Sequence, residues 1–170
     1  MSERLLLGLD ASPRRIGYAI SINDTILAAD TTHISSTASI TQRRRFWKQI
    51  RDQIRVFENE YATDLYAIGI EQPFAGPNRK ITVDHARNVG QHEALCEASF
   101  PDAFQVLIHP ATWRRVLGLA PKGKSHPYSY AEELLHRQGF ESWRLEQDTA
   151  DAICIVSALR IIIVGLDDDA

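Results

Sequence analysis

The chain predicts an α/β domain built on a five-stranded mixed sheet, strands 1–3 antiparallel, flanked by helices. Two patterns carry this expectation. Three apolar runs open the chain with only turn residues between them, and every later apolar run is separated from the next by a helical pattern. Size supports it too: 170 residues, 44% of them hydrophobic, suit a single domain over 1–170 that buries a core without disulfides or structural metal.

Leu5 to Leu9 is the first run, and it ends at Asp10. Ile16 to Ile22 and Thr25 to Thr32 follow, joined by the turn-favouring pair Asn23-Asp24. From Ser39 to Tyr61, the residues Trp47, Ile50, Ile54, Phe57 and Tyr61 recur at spacings of three and four, which predicts a helix with one apolar stripe. Leu65 to Ile70 is the fourth strand and delivers Glu71 at its end, where Pro73 halts pairing. Phe74 to Lys80 contains Gly76, Pro77 and Asn78 and reads as a loop. Val83 to Ala98 is helical, with Ala86, Gly90 and Ala94 spaced to permit close contact with another helix. Phe104 to Ile108 is the fifth strand, Pro110 begins a short helix, and Ser129 with Glu132 forms a capping-box pattern before a helix ending near Gly139. The last helix starts near Asp148 and runs to about Val164, apolar on most sides, as suits a helix packed deep against a sheet.

The net charge of −3 argues weakly against a nucleic-acid partner, but the average hides a pattern. Positive charge gathers at Arg14-Arg15, Arg43-Arg44-Arg45, Arg79-Lys80, Arg114-Arg115 and Lys122 with Lys124, while a short acidic tail at 167–170 holds part of the negative total. Any one of these clusters, taken alone, is better explained as solvated surface. Cys96 and Cys154 lie in apolar helical stretches, which suits buried thiols in a reducing, cytoplasmic compartment. The N-terminus has no signal-peptide pattern, and the apolar segment from Ile153 to Leu166 is too short to span a bilayer and contains Arg160, so no membrane role is expected.

Four acids are candidates for chemistry. Asp10 closes the first strand beside Arg14 and Arg15, although a strand-end aspartate is commonly a turn former. Glu71 follows Ala67-Ile68-Gly69-Ile70, where burial would demand a partner or a metal, unless the strand end is solvated. Asp148 and Asp151, three apart, face one way, but an N-cap and a first-turn acid would have the same spacing. The combination is what those local explanations leave over, because all four acids are placed to converge at one edge of such a sheet. Convergent carboxylates repel unless cations neutralise them, and hard oxygen donors suit magnesium, with manganese able to substitute. Two such ions about 3.5–4 Å apart stabilise both the attacking water and the leaving oxygen in phosphodiester hydrolysis.

The segments LLLGLDASPRRIGYAI, AIGIEQPFAGPNRK with DHARNVGQHEALCEA, and DTADAICIVSAL, in this order over about residues 4 to 160, resemble the RuvC family of Holliday-junction resolvases in the ribonuclease H-like superfamily. The resemblance implies a structure-selective endonuclease that binds two Mg2+ ions through Asp10, Glu71, Asp148 and Asp151 and acts as a homodimer on four-way junctions. It places Phe74 where the family has a junction-stacking aromatic, although a loop anchor is an equal reading. It matches Lys124 to a basic residue supporting the scissile phosphate, with Lys122 close behind; Arg14, Arg15, Arg79, Lys80 and Lys122 are the expected DNA contacts. The Val83–Ala98 helix matches the region used for pairing. The sequence departs from the family at DASPRR, which lacks the usual glycine, at His126 to Tyr130, and in the tail, a divergence that suits a bacteriophage or mobile-element homologue acting in a bacterial host's cytoplasm.

Rival readings stay open. A broader branched-DNA nuclease would cut flaps, forks and D-loops as well. An actin-like or sugar-kinase-like ATPase would share the strand-aspartate opening, but it needs a second half for which 170 residues leave no room. A non-catalytic junction-binding protein would not need the intact acidic set.

Overall fold

The computed structural model describes residues 3–34, 40–73, 79–120, 125–140 and 145–168. Its strands are β1 (Leu5–Ala11), β2 (Arg15–Ile22), β3 (Thr25–His33), β4 (Leu65–Glu71) and β5 (Phe104–Ile108), and its helices are α1 (Ile40–Tyr61), α2 (Arg79–Ser99), α3 (Pro110–Val116), α4 (Ser125–Arg137) and α5 (Gln147–Asp168). The sheet order is β3-β2-β1-β4-β5, with β1 in the middle. β1, β2 and β3 pair antiparallel, and β4 is parallel to both β1 and β5, so the sheet is mixed as the sequence predicts.

Side-chain alternation divides the core. Leu5, Leu7 and Leu9 of β1 join Ile16 and Ile20 of β2 and Leu65, Ile68 and Ile70 of β4 on one face. There they pack against Phe46, Trp47, Ile50 and Ile54 of α1 and Val89 and Cys96 of α2. Leu6, Ala19 and Ala67 point the other way, toward α5, with Trp113 of α3 and Ala131 and Leu135 of α4 beside it. Both cysteines are buried and free.

The apolar stripe of α1 includes a charged member that the sequence assigns to a surface cluster. Arg43 is buried because it lies one turn before Phe46 and Trp47 on the same face. Its Nη1 stands 2.9 Å from Nε2 of the buried His92, while Trp47 Nε1 donates to His92 Nδ1 at 3.2 Å. Burial and the Arg43 charge push the His92 pKa down to about 3, so the ring is neutral. A neutral imidazole accepts at one nitrogen only, so the two contacts are not equal hydrogen bonds.

Three boundaries differ from expectation. α2 begins at Arg79, a turn before Val83, which places Arg79 and Lys80 on a helix rather than in a loop. α4 begins at Ser125, so Ser129 is interior and no capping box forms there; Pro127 occupies the first turn, where a missing N–H costs nothing. α5 is longer than read, and its stretch Gln147–Leu166 is long and apolar enough by composition to cross a membrane. The sheet takes up those side chains instead: Ala152, Ile153, Ile155, Val156 and Leu159 are all fully buried.

Candidate active site

The strand period decides which side chains reach the site. Asp10 follows Leu6 and Gly8 on the α5 side of β1, Glu71 follows Ala67 and Gly69 on the α5 side of β4, and Arg15 shares that side with Gly17 and Ala19 of β2. β1 and β4 are parallel and in register through Leu9↔Ile70, so Asp10 and Glu71 leave the sheet as neighbours at its C-terminal edge. Asn88 of α2 is buried and holds that edge, donating from Nδ2 to the Ala11 carbonyl at 2.7 Å.

α5 crosses the same edge at its N-terminus, and glycines let it come close. A Cβ on Gly17 would overlap the Asp148 carbonyl, and one on Gly8 would strike the Ala152 carbonyl and Val156. A Cβ on Gly69 would press on Ile155 and Leu159. These contacts advance along α5 by about a turn at each strand. Backbone therefore rests on backbone where the helix begins, and Thr31 and Thr149 join hydroxyls at 2.7 Å across the seam.

The result is four carboxyl groups in one electrostatic neighbourhood. The Asp10 pKa is raised well above the carboxylate range, by burial first and then by the charges of Glu71, Asp151 and Asp148, with Arg15 opposing. Glu71 is raised from 4.5 to about 7, again by burial first and then by Asp151, with Arg114 lowering it and Asp148 adding to the rise.

The chain's own groups hold the two helix acids. Arg15 Nε lies 3.0 Å from Asp148 Oδ2, and Gln147 Nε2 donates to Asp151 Oδ1 at 3.1 Å. The Arg15 contact is an ion pair without hydrogen-bond alignment, since the buried Oδ2 accepts no hydrogen bond among the described residues. Among the described residues no three His, Cys, Asp or Glu side chains are drawn close enough to hold an ion as they stand. The donor set nevertheless fits a hard divalent cation. All four groups are oxygen donors, one buried oxygen has no hydrogen bond, and two carboxyls are held back from ionising by burial and then by mutual repulsion, which a cation would offset.

The Glu71 shift has a consequence for pH. A carboxyl whose folded-state pKa is raised keeps its proton in the folded chain where the unfolded chain has lost it, so the stability it contributes is complete below about 4.5 and is lost as pH rises through about 7. Calorimetry in EDTA should show Tm of the wild type falling relative to Glu71→Gln between these two values. Saturating Mg2+ should remove that relative fall, and parallel curves in EDTA would refute the shift.

Arg114 is a site residue that the sequence reading leaves among surface clusters. Its guanidinium lies over the Trp113 ring, 4.6 Å from the centroid, and its charge acts on Glu71. The signal available was position: α3 begins at Pro110, directly after β5, and β5 borders β4, so the helix overhangs the end that carries Glu71. Arg14 is exposed, and with Ser12, Pro13, Arg15, His33 and Ile34 it lines an open groove of about 700 Å³ beside the acids. His33 pairs with Glu146 at 3.2 Å on the same rim. Lys80 is exposed at the start of α2. Phe74, Lys122 and Lys124 lie outside the described residues, as does the side chain of Arg79.

No protein-family model and no curated protein matches the sequence. Among solved structures, Thermus thermophilus RuvC matches over 95% of this chain and 96% of its own, at 12% identity, with a TM-score of 0.66 alone and 0.65 in complex with a Holliday junction substrate. The yeast mitochondrial Holliday junction resolvase Ydc2 matches over 96% of this chain and 80% of its own, at 16% identity and a TM-score of 0.57. The chain has the ribonuclease H-like fold of the RuvC-type resolvases.

Proposed function

We propose that this protein is a divalent-metal-dependent endonuclease that resolves four-way DNA junctions by paired phosphodiester hydrolysis. The observation that carries the reading is the carboxyl of Asp10, which feels Glu71, Asp151 and Asp148 together at the end of the central strand. A cluster of like charges raises the energy of the metal-free fold, and such a cost persists at sites where the strain serves function. The fold shared with two junction resolvases supports branched DNA as the substrate class.

Asp10, Glu71, Asp148 and Asp151 would hold two Mg2+ ions, for which Mn2+ can substitute. Bound there, the metal supplies an activated water and charge stabilisation for an in-line displacement at phosphorus. Arg114, held against Trp113, would meet the scissile phosphate, a role shared with Lys124. Arg14, Arg79, Lys80 and Lys122 bind the flanking phosphates, with Arg15 beside the acids and Phe74 stacking at the branch point. A homodimer delivers the second nick: Ala86, Gly90 and Ala94 form an exposed face on α2, and a Cβ on Gly90 would touch nothing within 4 Å. Close helix pairing fits that face.

A panel of a four-way junction, flaps, forks, D-loops and linear duplex, each incubated with Mg2+, tests the proposal. Paired symmetrical nicks confined to the junction are expected. Comparable cutting of flaps and forks would identify the broader branched-DNA nuclease. Equal activity on linear duplex would defeat both, and binding without cutting would identify a junction-binding protein.

A further inference from the structure

Arg15 is placed differently from the other basic residues of the site. It stands at the first position of β2, on the α5 side, and its guanidinium reaches the buried side chain of Asp148. The side chains of the pair differ in exposure, 49% for Arg15 and 9% for Asp148. The pair therefore has one fixed partner and one that is free to turn outward. Its geometry is also imperfect, because Nε lies within ion-pair distance while Oδ2 gains no hydrogen bond. A half-exposed cation held without hydrogen-bond alignment is open to displacement by a cation of higher charge.

The backbone of Arg15 does not depend on this contact. Its N–H donates to Ser12 Oγ at 3.0 Å, and Ser12 Oγ donates to its carbonyl at 2.7 Å, so the loop before β2 is tied whichever way the side chain points. Arg15 also lines the groove formed by Ser12, Pro13, Arg14 and His33. That groove holds further positive charge and is open, which suits a DNA phosphate.

We infer that Arg15 is an internal counter-ion that occupies Asp148 in the metal-free protein and turns into the Arg14 groove to meet a DNA phosphate once a divalent cation takes its place. Before metal arrives, the guanidinium screens the charge of Asp148, and Gln147 holds Asp151 through a neutral contact. The cation and the guanidinium compete for one oxygen. Displacement frees a positive charge at the DNA face, so metal and DNA binding strengthen each other through a single side chain, as linkage requires. This inference rests on the proposed metal site.

Two measurements test it. Calorimetric titration with Mn2+ alone, without DNA, should show Arg15→Gln binding the ion about tenfold more tightly than wild type, a coupling of ordinary size. Arg14→Gln, one residue away and not paired to Asp148, should match wild type, and Arg15→Lys, which keeps the charge, should lie closer to wild type than to Arg15→Gln. Equal or weaker Mn2+ binding by Arg15→Gln, or an equal gain in Arg14→Gln, would overturn the counter-ion role. The second measurement is the salt dependence of binding to a nuclease-resistant four-way junction. With Mn2+ present the slope for Arg15→Gln should be smaller than that of wild type by about one, the share of one phosphate contact, and in EDTA the slopes should agree. A difference that is the same with and without metal would overturn the switch. Failure of the wild type to bind Mn2+ would overturn this inference together with the metal site, whereas wild-type Mn2+ binding with unchanged variants would overturn this inference alone.

Discussion

Asp148→Asn is expected to lower Mg2+-dependent cleavage of a four-way junction by about a thousandfold or more, while junction binding survives. Asparagine keeps the shape of the side chain and one oxygen, so the start of α5 and its seat against Gly17 should not move. What is lost is charge. A site of four acids holding divalent ions depends on formal charge for affinity, and a neutral amide oxygen supplies little of it. The metal-free variant should be at least as stable as wild type, because one member of a mutually repelling set has been neutralised while the forfeited contact is a half-exposed ion pair. Cleavage would be followed on a labelled junction and binding by gel shift, with Tm measured in EDTA. Asp10→Asn should behave alike, and the double variant should cost little beyond either single change, as residues acting in one unit do. Retention of cleavage within about tenfold of wild type would remove Asp148 from the site.

The parts of this arrangement that were legible in the sequence are those governed by short periods. The short apolar runs of Leu5 to Leu9 and Leu65 to Ile70 identify two strands, each ending at an acid, and strand parity in the fold sends Asp10 and Glu71 to one face of the sheet. The stripe through Trp47, Ile50 and Ile54 fixes the buried face of α1. Arg43 lies on that stripe as well, but its charge suggests a surface, and the partner it meets there, His92, comes from α2. The role of Arg114, and the pairing of Arg15 with Asp148, escaped for a related reason. Each residue belongs to a pair of adjacent arginines that local pattern treats as equivalent, and what separates the members is a contact made across the sheet with Glu71 or with Asp148. The false capping box at Ser129 has a local cause, since a helix can begin earlier when a proline falls in its first turn. The course of α5 over Gly17, Gly8 and Gly69 had no signature in any one segment. Glycines in strands read individually as weak points, and they become a track only when β2, β1 and β4 lie side by side.

That track makes Gly17→Ala the substitution with the largest expected effect on the fold. The new Cβ would overlap the carbonyl of Asp148, which is backbone and cannot rotate away, so either β2 or the first turn of α5 must shift. Forced overpacking of this kind costs about 1–3 kcal/mol and more when backbone is displaced, and in a chain of this size about 3 kcal/mol lowers Tm by roughly 6–12 °C. The displaced element carries the site. A shift of about 1 Å at Asp148 is enough to cost on the order of a hundredfold in rate, so cleavage by the surviving folded fraction should fall too. Gly165→Ala is the comparison, because that glycine lies on α5 itself and meets nothing within 4 Å of an added Cβ. It should raise stability by up to about 1 kcal/mol through the better helix propensity of alanine and leave cleavage unchanged. Calorimetry of both variants beside cleavage rates at a temperature where each is folded separates the two effects. If Gly17→Ala melts with the wild type and cuts at its rate, α5 does not rest on β2 at this point and Asp148 must be positioned by something other than the glycine track.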